Sequence, residues 1–376
     1  MKKILAAAMA MVMALSLFTA CSKNEDTVKI GILAPLTGNV SVYGIASKNG
    51  TVMGIDEINA KGGILGKQIT TAIQDEKGDV AEAVTAYDKL VSDKIVALIG
   101  DVTSNPSVAV AERAAKDGMP MLTPTGTTAD ITKKGPNVFR TCFMDPFQGQ
   151  VMATFAADNL KVKTAAIIVN NSDDYSKGLA KSFKETCEAK GIQVVIEEAY
   201  GATDKMFETQ LTKINALNPD VLYVPDYYNT IALIATQARQ IGFTGPMLGG
   251  DGWDGVLGVL TEDNKSVVDN CYFSNHYSPE NTDERLANFR KSYQEKYGEE
   301  PNAFAALGYD SAYIMAMAIE KAGSTDKAAI VEALKGLEYD GITGHITFDD
   351  NGDPIKEAFI TKLENGGATL AAKVSL

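Results

Sequence analysis

The sequence predicts an α/β molecule of parallel sheets with helices on both faces, folded as two halves that exchange strands. Three observations predict it. Eight short apolar runs rich in β-branched residues are each followed by a turn and helix-like sequence, these runs fall into two series, and three extended passages connect the halves. With 376 residues, 45% of them hydrophobic, the chain is long enough for two cores.

The first series comprises "VKIGILAP" (28–35), "QITTAIQD" (68–75), "IVALIG" (95–100) and "MPMLTP" (119–124). Behind its first run, "VYGIASKNGTVMGIDEINAKGG" sets Ile45, Val52, Ile55 and Ile58 on one stripe and stops at Gly62-Gly63, as a helix C-terminus does. An extended passage, "NVFRTCFMDPFQG" (137–149), then leads to Pro146 and a new helix. The second series is "TAAIIVN" (164–170), "QVVIEEAY" (193–200), "DVLYVP" (220–225) and "PMLGG" (246–250). A second passage, "NCYFSNHYSPEN" (270–281), precedes helical stretches over 283–297 and 302–322. The third, "HITFDDNGDPIKEAFITKL" (345–363), reads as two strand-like pieces around a turn.

Residues 1–20 read as a secretory signal, not as part of the fold. Lys2 and Lys3 precede an apolar run from Ile4 to Phe18, shorter than the ~20 residues a membrane-spanning helix needs. Thr19 and Ala20 stand before Cys21, a pattern that resembles a bacterial lipoprotein signal, with Phe18 where leucine is usual. Cys21 would then carry the lipid and "SKNEDT" would be its tether. The expected location is extracytoplasmic, lipid-anchored to the bacterial cell membrane. Removing residues 1–20 takes away two lysines and no acid, so the net charge moves from −13 to −15. That balance excludes nucleic acid or an anionic membrane surface as the expected partner. Cys142, Cys187 and Cys271 are widely and irregularly spaced; they read as buried thiols, with one bridge left open.

Enzyme signatures are scarce. The two histidines, His276 and His345, have no carboxylate or cysteine at metal-ligand spacing and read as surface or hinge residues. "GGILGK" (62–67) lacks the spacing and hydroxyl of a phosphate loop. No catalytic residue, metal or cofactor is expected.

The loops after the strands carry the polar groups, where open α/β sheets bind ligands. After "IVALIG", Asn105 fits an N-cap and Pro106 the first helical position, so a helix N-terminus favouring an anion opens beside Ser104. After "MPMLTP", Thr125 and Thr127 flank a glycine that permits close approach. The sequence leaves open that Ser104 and Thr127 only cap helices. "GGDGWDG" (249–255) matches the glycine spacing of a dinucleotide fingerprint, but Asp251 would repel a pyrophosphate and the motif follows the eighth strand instead of opening a first βαβ unit. Asp251 therefore reads as the partner of a cation, or as a helix N-cap. Anion-binding groups on one half and a carboxylate on the other suit a zwitterion.

At these residues the chain resembles the extracytoplasmic substrate-binding proteins of ABC importers for branched-chain amino acids. The similarity runs from "VKIGILAPLTGNVSVYG" through "GIDEINAKGGILGKQI", "IVALIGDVTS", "MPMLTPTGTTADIT", "NVFRTCFMD" and "DYSKGLA" to "GHITFDDNGD". The resemblance implies the type I periplasmic-binding fold, two Rossmann-like lobes with parallel sheets joined by three hinge crossovers. Lobe 1 would be 28–141 plus 277–348 and lobe 2 142–276 plus 349–376, after a signal (1–20) and a lipidated tether (21–27). It also implies roles. Ser104 and Thr127 bind the α-carboxylate; the Thr125 carbonyl, the Thr127 hydroxyl and Asp251 receive the ammonium; Tyr175 and Tyr227 close from the second lobe; Tyr43 and Phe304 wall the side-chain pocket. Trp253 shapes that pocket or packs under its loop. Asp251 stands where leucine/isoleucine/valine binders have glutamate, one methylene longer, and Thr125 where they have alanine. The implied partners are an amino acid and the membrane permease subunits of the importer, with a monomeric, lipid-anchored binding protein that is not an enzyme. Other readings are a family member for alanine, threonine, an aromatic amino acid, an amide or urea; a sensory ectodomain; and an NAD-dependent enzyme resting only on the glycines at 250–255.

Overall fold

The structure is a computed structural model and describes residues 27–278, 280 and 282–374. The expected signal, Cys21 and most of the tether lie outside the described residues.

The first βα series builds a five-stranded parallel sheet. Its elements are β1 (Val28–Ala34), α1 (Ser41–Ala60), β2 (Ile69–Asp75), α2 (Val80–Ser92), β3 (Ala97–Ile99), α3 (Ser104–Asp117), β4 (Met121–Thr123) and β5 (Val138–Arg140). The strand order is β2-β1-β3-β4-β5. Alternation along β1 sends Ile30 and Ile32 into one core and Leu33 into another, so both faces are covered, as a parallel sheet requires.

The second series follows with α4 (Asp145–Asp158), β6 (Thr164–Asn170), α5 (Asp174–Ala189), β7 (Gln193–Tyr200), α6 (Glu208–Ala216), β8 (Val221–Tyr223), α7 (Tyr228–Gln240), β9 (Met247–Gly249), α8 (Val256–Val259) and β10 (Cys271–Asn275). Along β6, Ala165, Ile167 and Val169 face α4 and α5 while Ala166 and Ile168 face α6 and α7.

The chain then returns to the first sheet. Helices α9 (Glu284–Tyr297), α10 (Ala303–Ala322) and α11 (Lys327–Lys335) precede β11 (Glu338–Gly341) and β12 (Gly344–Thr347), before β13 (Ala358–Glu364) and β14 (Gly367–Val374) rejoin the second sheet. Helix α10 lies against α1 so closely that a Cβ at Gly50 would stand 1.9 Å from the Ala305 carbonyl. Both helices are therefore buried on more than one face, and the stripe read along α1 holds only in part: Ile55 and Ile58 are buried, whereas Ile45 is exposed. The result is an α/β fold of two Rossmann-like lobes with three crossovers between them.

One feature of the sheets departs from the expectation. The second sheet is mixed, in the order β14-β13-β10-β9-β8-β6-β7, because β13 runs antiparallel to β10 and β14 antiparallel to β13. The two pieces within 345–363 are strands on either side of a turn, as read, but they join different sheets. β12 pairs with β11, β13 pairs with β10, and the turn between them folds on itself, Asp349 accepting from the backbone of Asn351 and Asp353. That self-contained turn is the third crossover. It is pinned to the first, because Arg140 is buried in an ion pair with Asp353 and its backbone N–H donates to the Gly352 carbonyl at 3.1 Å.

Candidate functional site

The first lobe contributes two loops at the carboxyl ends of its strands. After β3, the Asp101 carboxylate accepts from the Val102 N–H at 2.6 Å, tightening the turn into α3. The N-cap of α3 is Thr103 and the helix starts at Ser104, two residues earlier than the sequence reading placed it. Pro106 is tolerated because the first turn needs no N–H donors; the first helical bond comes from Ser107 to the Thr103 carbonyl. Asn105 is then no cap. It reaches the other lobe, its Oδ1 accepting from the Asp174 N–H at 3.1 Å and its Nδ2 donating to the Ser172 carbonyl at 3.4 Å. After β4, the Thr125 hydroxyl donates to the Val102 carbonyl at 2.8 Å, which leaves the Thr125 carbonyl as the group this residue has to offer. The loop is held from behind: Arg140 Nη1 donates to the Gly126 carbonyl at 2.9 Å and the Cys142 thiol to the same oxygen at 3.2 Å. The Ser104 hydroxyl accepts from the Thr128 N–H at 3.3 Å and so ties the two loops together.

The second lobe contributes Asp251, which is 3% exposed. It heads a single 3-10 turn (Asp251–Trp253) whose N-cap is Gly250, so it is not a capping residue. Its carboxylate is instead a node. Oδ1 accepts from the Tyr175 hydroxyl at 2.9 Å and from Gln148 Nε2 at 3.1 Å, and Oδ2 lies 3.0 Å from His276 Nε2. Gln148 adds a second tie, its Oε1 accepting from the Asp251 N–H at 2.9 Å and from the Ser274 hydroxyl at 2.8 Å. Sequence reasoning missed Gln148. Only its position one turn into the helix opened by Pro146 pointed inward.

These loops line a narrow cavity between the lobes, most of its space taken up by their own side chains. Ser104, Thr125 and Thr127 line it from one lobe; Tyr175, Tyr227 and Asp251 line it from the other; Phe304, on the first turn of α10, closes it with Val102 and Gly252. Tyr43 and Trp253 are not in this wall. Tyr43 stands behind it, stacked on Phe304 with ring centroids 4.1 Å apart. Its hydroxyl donates to the Gly252 carbonyl at 2.5 Å and accepts from the Tyr228 N–H at 2.9 Å. Trp253 is fully buried beneath its loop, with Nε1 donating to the Val224 carbonyl at 2.9 Å. Asp254 makes a further contact across the lobes by accepting from the Ala303 N–H at 2.9 Å, at the start of α10.

The glycines at 249–255 are explained by protein contacts. A Cβ at Gly249 would stand 1.9 Å from the Trp253 indole nitrogen, and one at Gly252 2.4 Å from the Asp226 carbonyl. Such packing leaves no cradle for a pyrophosphate. Among the described residues no cluster of histidine, cysteine and carboxylates has the makings of a metal site. His345 is exposed beside Asp340, whereas His276 is fully buried at the second crossover, so only the former is a surface residue. Cys142, Cys187 and Cys271 are buried free thiols. Burial pushes the Asp145 carboxyl and the Tyr43, Tyr175 and Tyr227 hydroxyls well above their ordinary values, so the hydroxyls stay neutral donors around the cavity.

Residues 27–368 match a family model described as periplasmic binding protein. The chain is 34% identical over 351 residues to the Leu/Ile/Val-binding protein BraC3 of Rhizobium johnstonii, covering 92% of this chain and 94% of that protein. It is 30% identical over 361 residues to the leucine-, isoleucine-, valine-, threonine- and alanine-binding protein of Pseudomonas aeruginosa, covering 91% of each. Among solved structures, the branched-chain amino acid transporter substrate binding protein LivJ of Streptococcus pneumoniae, in complex with isoleucine, superposes with a TM-score of 0.84. That match has 33% identity and covers 93% of this chain and all of the other.

Proposed function

The chain belongs to the periplasmic binding protein family, and from that premise we propose that it captures an aliphatic amino acid and delivers it to an ABC importer. Membership implies an extracytoplasmic location. No helix among the described residues is long and apolar enough to cross a membrane.

The observation that carries the proposal is the polarity of the cavity. One wall is the first turn of α3 with the Thr125–Thr127 loop; the facing wall is the buried Asp251 carboxylate. In the reading argued here, the ligand's α-carboxylate lies on the Ser104 and Thr127 side and its ammonium bridges the Thr125 carbonyl, the Thr127 hydroxyl and Asp251. Tyr227 and Phe304 face its side chain, and Tyr43 and Trp253 support the wall from behind. Lobe 1 (28–141 with 277–348) receives the ligand first, and lobe 2 (142–276 with 349–376) closes on it about the three crossovers. Leucine, isoleucine and valine are the first candidates because the relatives named above bind them; threonine and alanine come next from the Pseudomonas relative.

Calorimetry with these five amino acids tests the proposal. A charge-assisted hydrogen bond is worth about 1.5–3 kcal/mol, so Asp251→Asn, which keeps the shape and removes the charge, should weaken binding by about 10- to 150-fold. Unchanged affinity in Asp251→Asn, or no binding of any of the five by the unsubstituted protein, refutes it.

The membrane tether belongs to the same proposal: Lys2 and Lys3, the apolar run and Cys21 support attachment of a monomer through a lipidated Cys21. Radiolabelled palmitate should enter the chain in cells and be lost in Cys21→Ala; equal labelling of both forms would rule the tether out.

A further inference from the structure

His276 is the first residue after β10, at the second crossover, and is wholly buried. Its ring stacks on Phe143 of the first crossover, with centroids 3.7 Å apart and 24° between the planes. Its backbone N–H is held by Asn275 Oδ1 at 2.7 Å. Nε2 sits 3.0 Å from Asp251 Oδ2, and a carboxylate can only accept, so Nε2 carries the hydrogen. Nδ1 is then a bare acceptor, buried without a partner among the described residues.

We propose that His276 is a positioning residue for Asp251, fixing the carboxylate for the ligand's ammonium and competing with that ammonium for its charge whenever the imidazole takes a proton. The proposal rests on the amino-acid reading of the cavity. Tyr175 and Gln148 occupy Oδ1, so the neutral imidazole is the group that sets Oδ2 while leaving the negative charge available to a ligand. An imidazolium at the same distance would neutralise Asp251, and a bound ammonium would become a second cation on one carboxylate.

The surroundings keep the ring neutral at ordinary pH. Burial lowers the His276 pKa, the Asp251 carboxylate opposes that, and the Lys356 ammonium of the third crossover adds to it. Asp145 and Cys142 face the same group of charges from the first crossover, and Tyr175 faces Asp251 from α5. A protonated Nδ1 would have no acceptor among the described residues. Proton and ligand therefore exclude each other, and linkage makes the exclusion reciprocal: ligand lowers the pH at which His276 protonates, and affinity falls as pH drops through the midpoint of the free protein. The limiting slope is tenfold per pH unit.

The sequence has only two histidines, so imidazole resonances can be followed directly by NMR, with His345→Asn assigning the exposed one. The expected result with L-leucine as probe is a His276 midpoint that moves to lower pH on addition of ligand. A midpoint indifferent to leucine, or a ring that never titrates down to pH 5, overturns the proposal. Calorimetry from pH 5 to 8 gives the second arm: the acid loss of leucine affinity should be present in the unsubstituted protein and flattened in His276→Gln. Superimposable profiles count against it. Failure of the amino-acid reading looks different, since leucine, isoleucine and valine would then not bind even at pH 7.5.

Discussion

Two strand-to-helix turns of the molecule are built alike and used differently. In the first lobe β3 leads to Asp101, whose carboxylate accepts from the next N–H at 2.6 Å; in the second β8 leads to Asp226, whose carboxylate does the same to Tyr227 at 2.6 Å. The helix that follows has an extended N-cap in both, Thr103 at φ −93° and ψ 155° and Tyr227 at φ −95° and ψ 153°. Both helices begin with N–H groups that no acid in the first turn serves. The α7 terminus is spent on the protein itself, because the Tyr228 N–H donates to the hydroxyl of Tyr43 from the other lobe. The α3 terminus borders the cavity. One repeat of the device thus spends its first N–H on the partner lobe, and the other borders the cavity with Ser104 and touches the partner lobe only through the Asn105 side chain. What decides is which side chain reaches the turn across the cleft.

The difference depends on the first-lobe loop being rigid, and the largest expected effect comes from releasing it. Arg140 is fully buried; besides Asp353 and Gly126 it donates from Nη2 to the Thr132 hydroxyl at 3.1 Å. Arg140→Met keeps much of the volume but strands Asp353 as a buried charge and frees the Gly126 carbonyl. Removing one partner of a buried ion pair costs about 3–5 kcal/mol. Urea unfolding of the ligand-free protein should show a loss of that size, and a loss below about 1 kcal/mol would mean that the loop is held by its hydroxyl bonds alone.

Much of this was legible in the sequence, for identifiable reasons. The six inner strands of the two series were readable because parallel strands covered on both faces are short, continuous apolar runs, and the edge strands β2 and β7 because their β-branched residues recur between turn signals. Ser104, Thr125, Thr127 and Asp251, which line the cavity, could be singled out because they follow such runs directly. The edge strand β14 was not, since "GATLAAKV" is largely exposed and carries little periodic signal. The start of α3 was misplaced because Pro106 suits the first turn generally and not only its first position. Gln148 and His276 were beyond reach for another reason. Each gains its meaning from Asp251, 103 and 25 residues away, and single-sequence patterns carry no information about contacts at such separations.

Tyr43 provides the sharper and smaller test, because its hydroxyl is what makes the α7 terminus unlike the α3 terminus. Both of its hydrogen bonds run between lobes: it accepts from Tyr228 and donates to Gly252, next to Asp251. In an open molecule all three groups are free to meet water, so the bonds contribute only to the closed form. Tyr43→Phe preserves the stack on Phe304 and leaves the Tyr228 N–H and the Gly252 carbonyl unpaired on closure. A buried group left unpaired costs about 1–3 kcal/mol. The two groups together should make closure harder by at least about 2 kcal/mol, so ligand affinity should fall by at least about 30-fold, with the melting temperature of the ligand-free protein unchanged. The loss should appear for every amino acid that binds, since the hydroxyl lies behind the cavity wall and not in it. A loss confined to one side chain would instead place Tyr43 in contact with the ligand. A lower melting temperature without ligand would mean that the lobes are already closed before it arrives, and that the α7 terminus is served by Tyr43 permanently.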